Sequence, residues 1–163
     1  MDTEFQTSST NGDEQAVAEI IRSPFTLVGQ SDAGAHLIYD AGFGYATRLL
    51  GYWIRERKVM SLEEGVRKLT FMVASIFGLR DRGLLRPGNA ADVVLFDPAT
   101  VRECDPEMVT DLPAGEKRLI QKATGIEMTI VNGQVLTVAG EHTGALPGRV
   151  LGNGSGATLQ AAA

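Results

Sequence analysis

The sequence is poor in residues that build covalent or metal-bound frameworks. Its 163 residues include one cysteine, Cys104, so no disulfide can form within the chain, and the neighbouring Asp105 and Pro106 offer no base to activate the thiol. The only histidines, His36 and His142, do not complete a structural zinc site with that cysteine. Any metal held by this chain alone would therefore need carboxylate ligands.

Excess positive charge and long apolar runs are also missing. Fifteen Lys and Arg against 20 Asp and Glu give a net charge of -5, which leaves no broad cationic surface for phosphates. No apolar run approaches the roughly 20 residues that span a bilayer, and residues 1–4 lack the features of a secretory signal. We therefore expect a cytoplasmic protein with neither nucleic acid nor membrane as a partner.

What is present is an ordinary globular composition, with 44% hydrophobic and 21% charged residues. The length is well short of the roughly 250 residues of a closed (β/α)₈ barrel. Nineteen glycines indicate many tight turns and close backbone approaches.

The first half of the chain has the pattern of an α/β fold. Asp13 is placed to cap a short helix that ends before Pro24, and the apolar residues 25–29 predict a buried parallel strand. Apolar stripes predict a second helix over 46–58 and a third over 61–77. Ser61 and Glu64 form a predicted capping box, and Gly78 suits the position just after the third helix.

The second half has the pattern of antiparallel β structure. Residues 91–96 predict a strand, and residues 126–130 alternate strictly before Asn132 and Gly133, a strong two-residue hairpin signal. The return strand is predicted over 134–138.

Three residues are candidates for chemistry, each with a structural alternative. Asp32 follows the predicted strand, where α/β active sites are built, but it could equally cap a turn. His36 could share a pocket with Asp32, or simply bond to the backbone. Arg48 could present a guanidinium fork to a substrate carboxylate, or lie on a solvated helix face. His142 is predicted to be an exposed turn residue.

Several motifs, taken in order, resemble the amidohydrolase superfamily and within it the N-acyl-D-amino-acid deacylase (D-aminoacylase) branch. They are residues 28–37 (VGQSDAGAHL), 61–70 (SLEEGVRKLT), 77–92 (FGLRDRGLLRPGNAAD), 131–133 (VNG) and 147–149 (PGR).

The resemblance implies the last strand and closing helices of a metal-dependent (β/α)₈ barrel, followed by the C-terminal half of a small β-sandwich. The expected organisation is a flexible N-terminus over 1–12, barrel portion over 13–82, β-sandwich portion over 83–151 and flexible tail over 152–163. The implied activity is hydrolysis of a carbon–nitrogen bond other than a peptide bond, in an N-acyl amino acid or a cyclic amide.

The same resemblance implies roles for individual residues. Asp32 would be the catalytic aspartate and this chain's contribution to the metal site, moving a proton from the attacking water to the leaving nitrogen, while Arg48 and His36 would contact the small-molecule amide substrate. The complete family enzyme would hold zinc, with ligands that include a His-x-His pair. This chain has no such pair, so we expect it to bind no zinc and to be inactive alone.

Two hypotheses about function follow. In the first, the chain is a fragment of an amidohydrolase that needs a missing N-terminal barrel portion. In the second, it is a non-catalytic β-rich structural or association module, with self-association through its uncovered apolar faces.

Overall fold

The structure is a computed structural model that describes residues 11–29, 31, 33–34, 38 and 42–151. The N-terminal half of this part is helical. The helices are Glu14–Arg22 (α1), Tyr45–Arg48 (α2), Leu49–Glu56 (the π-helix), Leu62–Leu69 (α3) and Phe71–Ile76 (α4), with 3₁₀ turns at Gly42–Gly44 and Pro113–Gly115. None of the helices in the described ranges is long and apolar enough to cross a membrane.

Both predicted helix N-caps are confirmed, but the capping box predicted at Ser61 and Glu64 forms only in part. The Asp13 carboxylate accepts hydrogen bonds from the backbone amides at the start of α1, 2.9 Å from Gln15 N. The Ser61 hydroxyl accepts from Glu64 N at 3.2 Å. The Glu64 carboxylate does not reach back to Ser61 as predicted, because Arg67 on the next turn donates to both of its oxygens, at 2.7 and 2.9 Å.

The second and third helices differ from the predicted continuous ones. The second changes from α to π geometry at Leu49, and Arg57 N donates to Tyr52 O, five residues back, at 2.9 Å. The third is interrupted at Thr70, whose φ of -122° and ψ of -83° separate α3 from α4. The Thr70 hydroxyl donates to Val66 O at 2.7 Å, a local bond that competes with regular helix geometry. Gly78 then has a φ of +71°, as the predicted stop signal requires.

The predicted strand over 25–29 is wrong, since Phe25 lies in a turn and residues 26–29 form a connection without regular secondary structure. A strand needs a neighbour to take its backbone hydrogen bonds, and no strand in the described residues pairs with this segment. Instead, Thr26 O accepts from the Lys68 ammonium at 3.1 Å, and Val28 packs on the core. Phe25 is 95% exposed, so the apolar run lacks the two-sided cover that its composition predicts.

The C-terminal half is antiparallel, as predicted. Its strands are Val93–Phe96 (β1), Arg102–Glu103 (β2), Glu107–Val109 (β3), Arg118–Ile120 (β4), Ala123–Thr124 (β5), Ile126–Val131 (β6), Gln134–Val138 (β7) and Glu141–His142 (β8). A four-stranded sheet has the order β1-β6-β7-β8, while β2 pairs with β5 and β3 with β4. The β6–β7 hairpin turns at Asn132 and Gly133, whose φ values of 47° and 79° are both positive, as a type I′ turn requires.

The core joins the two halves. Leu49, Leu50 and Ile54 of the π-helix pack on Val101. Val101 is fully buried and lies in the segment that connects β1 to β2. A Cβ built on Gly51 would lie 2.5 Å from Val101 O, so no larger residue fits at this contact. The helical and β parts therefore share one core.

Candidate active site

Two of the three predicted site residues, Asp32 and His36, lie outside the described residues. Their neighbours Ser31, Ala33 and Gly34 are described. The Ser31 hydroxyl accepts a hydrogen bond from Ala33 N at 3.3 Å, and Gly34 has a φ of +90°. The chain thus turns at Ala33 and Gly34, directly after the position that the sequence analysis assigns to the catalytic aspartate.

Arg48, the third predicted residue, lies at the end of α2 with half of its side chain exposed. Its Nη1 donates to Glu103 Oε1 of β2 at 2.7 Å, and its guanidinium carbon stands 4.6 Å from the centre of the Tyr52 ring. The guanidinium therefore has a fixed carboxylate partner and a fixed stacking surface. Sequence analysis missed Glu103, which lies 55 residues further along the chain.

Tyr52 connects Arg48 to a second ion pair. Its hydroxyl donates to the Glu14 carboxylate, and this hydrogen bond is the main reason that the pKa of Tyr52 is raised above its usual value. Glu14 in turn pairs with Arg57 at 2.8 Å. Arg57 is thus neutralised by α1, and Arg48 by β2.

A buried lysine holds the connection that leads towards Asp32. The Lys68 side chain of α3 is fully buried, and its ammonium donates to Ser23 O at 2.6 Å and Thr26 O at 3.1 Å. Its pKa is lowered, mainly because burial penalises the charged form. The only sequence signal for this residue is its place on the inward side of an amphipathic helix, which by itself predicts an apolar residue.

The described residues include the second histidine but no metal site. His142 is exposed, as predicted, but it lies in strand β8 and not in a turn, and its Nδ1 accepts from Gly144 N at 2.9 Å. Within the part of the chain that the structure describes, no group of three or more His, Cys, Asp or Glu side chains could hold a metal ion. The described residues by themselves therefore do not fit a metal centre.

A protein-family model for the amidohydrolase family matches residues 4–137, a range that includes Asp32, His36 and Arg48. The chain belongs to the amidohydrolase family. The resemblance drawn from the motifs is thereby confirmed.

Similar amidohydrolases include deacylases of N-acyl-D-amino acids. The N-acyl-D-aspartate deacylase of Alcaligenes xylosoxydans xylosoxydans is 37% identical over 147 residues, which are 87% of this chain and 27% of that protein. The N-acyl-D-glutamate deacylase of the same organism is 38% identical over 125 residues, 74% of this chain and 23% of that protein.

A solved structure of D-aminoacylase, from work on the functional role of its binuclear metal center, has a TM-score of 0.55 and 38% identity. The similarity covers 67% of this chain and 21% of that one. This amidohydrolase chain thus spans about a quarter of the length of the curated relatives that it matches.

Proposed function

We propose that this chain acts as the C-terminal part of a metal-dependent amidohydrolase that hydrolyses the amide bond of an N-acyl amino acid. The observation that carries the proposal is the 37% identity to N-acyl-D-aspartate deacylase over 87% of this chain. The proposed assembly supplies the rest of the (β/α)₈ barrel and the zinc ligands from outside this sequence. A cytoplasmic location remains part of the proposal.

The chemistry assigned to this chain is proton transfer and substrate binding. An amide nitrogen is a poor leaving group, so hydrolysis needs one group to accept a proton from the attacking water and to deliver it to the nitrogen. We assign this role to the Asp32 carboxylate. Arg48 would bind the substrate carboxylate, and His36 would contact the substrate within the same loop.

The exposed apolar side chains support the need for a complementary part. Four large apolar residues are more than half exposed, namely Phe25, Ile76, Phe77 and Leu85. The segment over 25–29 also lacks a strand neighbour among the described residues. A barrel portion would cover these side chains and pair with this segment.

The proposal is tested by complementation. The chain is co-expressed with the portion of D-aminoacylase that precedes the matched region, and hydrolysis of N-acetyl-D-amino acids is measured with zinc supplied. We expect turnover only when both parts are present. Asp32→Asn should lower kcat by on the order of 10²-fold, the usual scale for a positioned acid–base group.

The matched control is Asp105→Asn, which removes an exposed carboxylate of the β part. Equal turnover in Asp32→Asn and Asp105→Asn would remove Asp32 from the catalytic machinery. A complex that forms without any turnover would favour the β-rich association module.

A further inference from the structure

Three motifs that the proposed function does not use meet at the β6–β7 turn. Each supplies a polar group there; the motifs are residues 77–92, 131–133 and 147–149. Arg82 Nη1 donates to the Asp92 carboxylate, and Arg82 Nη2 donates to Asn132 Oδ1 at 2.8 Å. Asn132 Nδ2 donates to Pro147 O at 2.6 Å, and Asn132 N donates to Asp92 Oδ1 at 2.7 Å. We call these four residues the turn clasp.

The turn clasp holds both residues of the Asn-Gly step. The oxygen and the nitrogen of the Asn132 side-chain amide are each hydrogen-bonded, and Gly133 N donates to Ala91 O at 2.9 Å. The Arg82 side chain is only 12% exposed, so its guanidinium is enclosed where it meets the turn. The side chain of Asn132 and the backbone amide of Gly133 are therefore fixed separately.

An Asn-Gly step is prone to spontaneous deamidation, because glycine has no Cβ to hinder attack by its own backbone nitrogen. In this reaction Gly133 N attacks Asn132 Cγ. The new N–Cγ bond closes a cyclic imide, the Cγ–Nδ2 bond breaks, and the side-chain nitrogen leaves as ammonia with the proton of Gly133 N. Water then opens the imide, which leaves a carboxylate or an isoaspartyl linkage at position 132. Water is the only other reactant.

The turn clasp opposes this reaction in the folded chain. Ring closure moves Asn132 Cγ towards Gly133 N, and the bonds to Arg82 and Pro147 resist that movement. The bond from Gly133 N to Ala91 O retains the proton that the nucleophile has to lose. A guanidinium beside Oδ1 also favours the negative charge that develops there during attack. That effect operates only once Cγ is within reach of the nitrogen, so the restraint decides the rate.

We propose that Asn132 is a latent deamidation site that the turn clasp keeps intact, so that modification occurs only when the clasp opens. The product carboxylate has no proton to donate to Pro147 O, and it would share Arg82 with Asp92 as a second negative charge. Deamidation would therefore prevent the clasp from closing again. The site would mark chains in which the β part has opened.

A second Asn-Gly step in the same chain provides the reference. Asn11 and Gly12 are both exposed, and a Cβ built on Gly12 would meet no described atom within 4 Å. Asn11 has a φ of 59° and Asn132 a φ of 47°, so the two asparagines share a left-handed backbone. The turn clasp is the difference between them.

The test follows both sites in the full chain. The chain is incubated at mildly alkaline pH, in native buffer and in guanidinium chloride, and the peptides that contain Asn11 and Asn132 are quantified by mass spectrometry. In the denaturant we expect similar rates at the two sites. In native buffer, Asn132 should react more slowly than Asn11 by at least about tenfold, because a local opening that breaks several hydrogen bonds must precede attack.

Two variants test the clasp itself, with thermal melts to report folding. Arg82→Met should raise the native rate at Asn132 by about tenfold or more, the effect of losing a charge-assisted hydrogen bond. Arg80→Met removes an exposed arginine nearby and should leave the rate unchanged.

Three results would overturn the inference. They are equal rates at Asn132 and Asn11 in the native wild type, no acceleration of Asn132 by the denaturant, and an unchanged or slower reaction in folded Arg82→Met. The first two comparisons use only the wild type, so they decide the question even if Arg82→Met does not fold.

Discussion

At the scale of single residues, local rules succeeded where the partner lies nearby in the sequence. Asp13, Ser61 and Gly78 act within one helical turn, so their side-chain types suffice to predict their roles. Lys68 and Gln121 could not be predicted, because their partners lie 17 to 77 residues away. Only the folded chain shows that Lys68 donates to two backbone carbonyls rather than to a carboxylate.

Lys68 leads to a prediction about pH. The pKa of Lys68 is lower in the folded chain than its value of 10.5 in the unfolded chain. Between the folded and the unfolded pKa, the unfolded chain therefore binds more protons than the folded chain. The free energy of unfolding should therefore rise with pH as Lys68 loses its proton in the folded state. Lys68→Met should remove this rise, which is measured as the difference between wild-type and variant unfolding in urea from neutral pH to about pH 10.5.

Lys117→Met is the matched control, because Lys117 is exposed between β3 and β4. The difference in the free energy of unfolding between wild type and Lys117→Met should not change with pH in the same way. A difference between wild type and Lys68→Met that stays constant over this pH range would contradict the assigned burial of the ammonium.

At the scale of elements, hairpins were more predictable than the parallel strand. The β6–β7 hairpin follows from alternation and a turn dipeptide, both of which are local. The apolar residues 25–29 have the composition of a buried parallel strand. Such a strand forms only beside a second strand that lies far away in the sequence, and local composition does not reveal whether that partner is present. The π geometry of Leu49–Glu56 likewise has no local signal in this sequence.

The hairpin turn gives a prediction about stability. Gly133 has a φ of +79°, and a Cβ there would lie 4.0 Å from Ala91 Cβ, so strain would come from the backbone and not from a clash. Gly133→Val should destabilise the fold by about 1–2 kcal/mol, the cost of left-handed backbone for a residue with a Cβ. Thermal melts check this, with Gly148→Val as the control, since Gly148 has open space and no positive φ. Coincident melts of wild type and Gly133→Val would show that the turn is not type I′.

At the scale of the whole molecule, the motifs identified the family, but the site is only partly accessible to sequence reasoning. Arg48 could be named from its helix, yet its pairing with Glu103 depends on how strand β2 folds back onto the helical part. Asp32 and His36 remain predictions, since they lie outside the described residues. The absence of a His-x-His pair is evident from the sequence alone.

The ligand shortage gives a prediction about metal binding. A catalytic zinc site uses three protein ligands, and the described residues contain no group that could supply them. We expect the purified chain to retain no stoichiometric zinc after dialysis and to hydrolyse no N-acetyl-D-amino acid by itself. Metal analysis and an amidase assay on the same sample check this. One zinc per chain together with turnover would show that this chain carries a complete site.

The enclosure of Val101 has a consequence for how the chain unfolds. Its backbone lies between Gly51 and Gly125, where added Cβ atoms would each come within 2.5 Å of it, and Arg55 donates to its carbonyl at 2.6 Å. These contacts link segments 50 and 24 residues apart, on both sides of the boundary between the helical and β parts. Neither part can open without exposing the core of the other, so the two should lose their amide protection in a single cooperative transition.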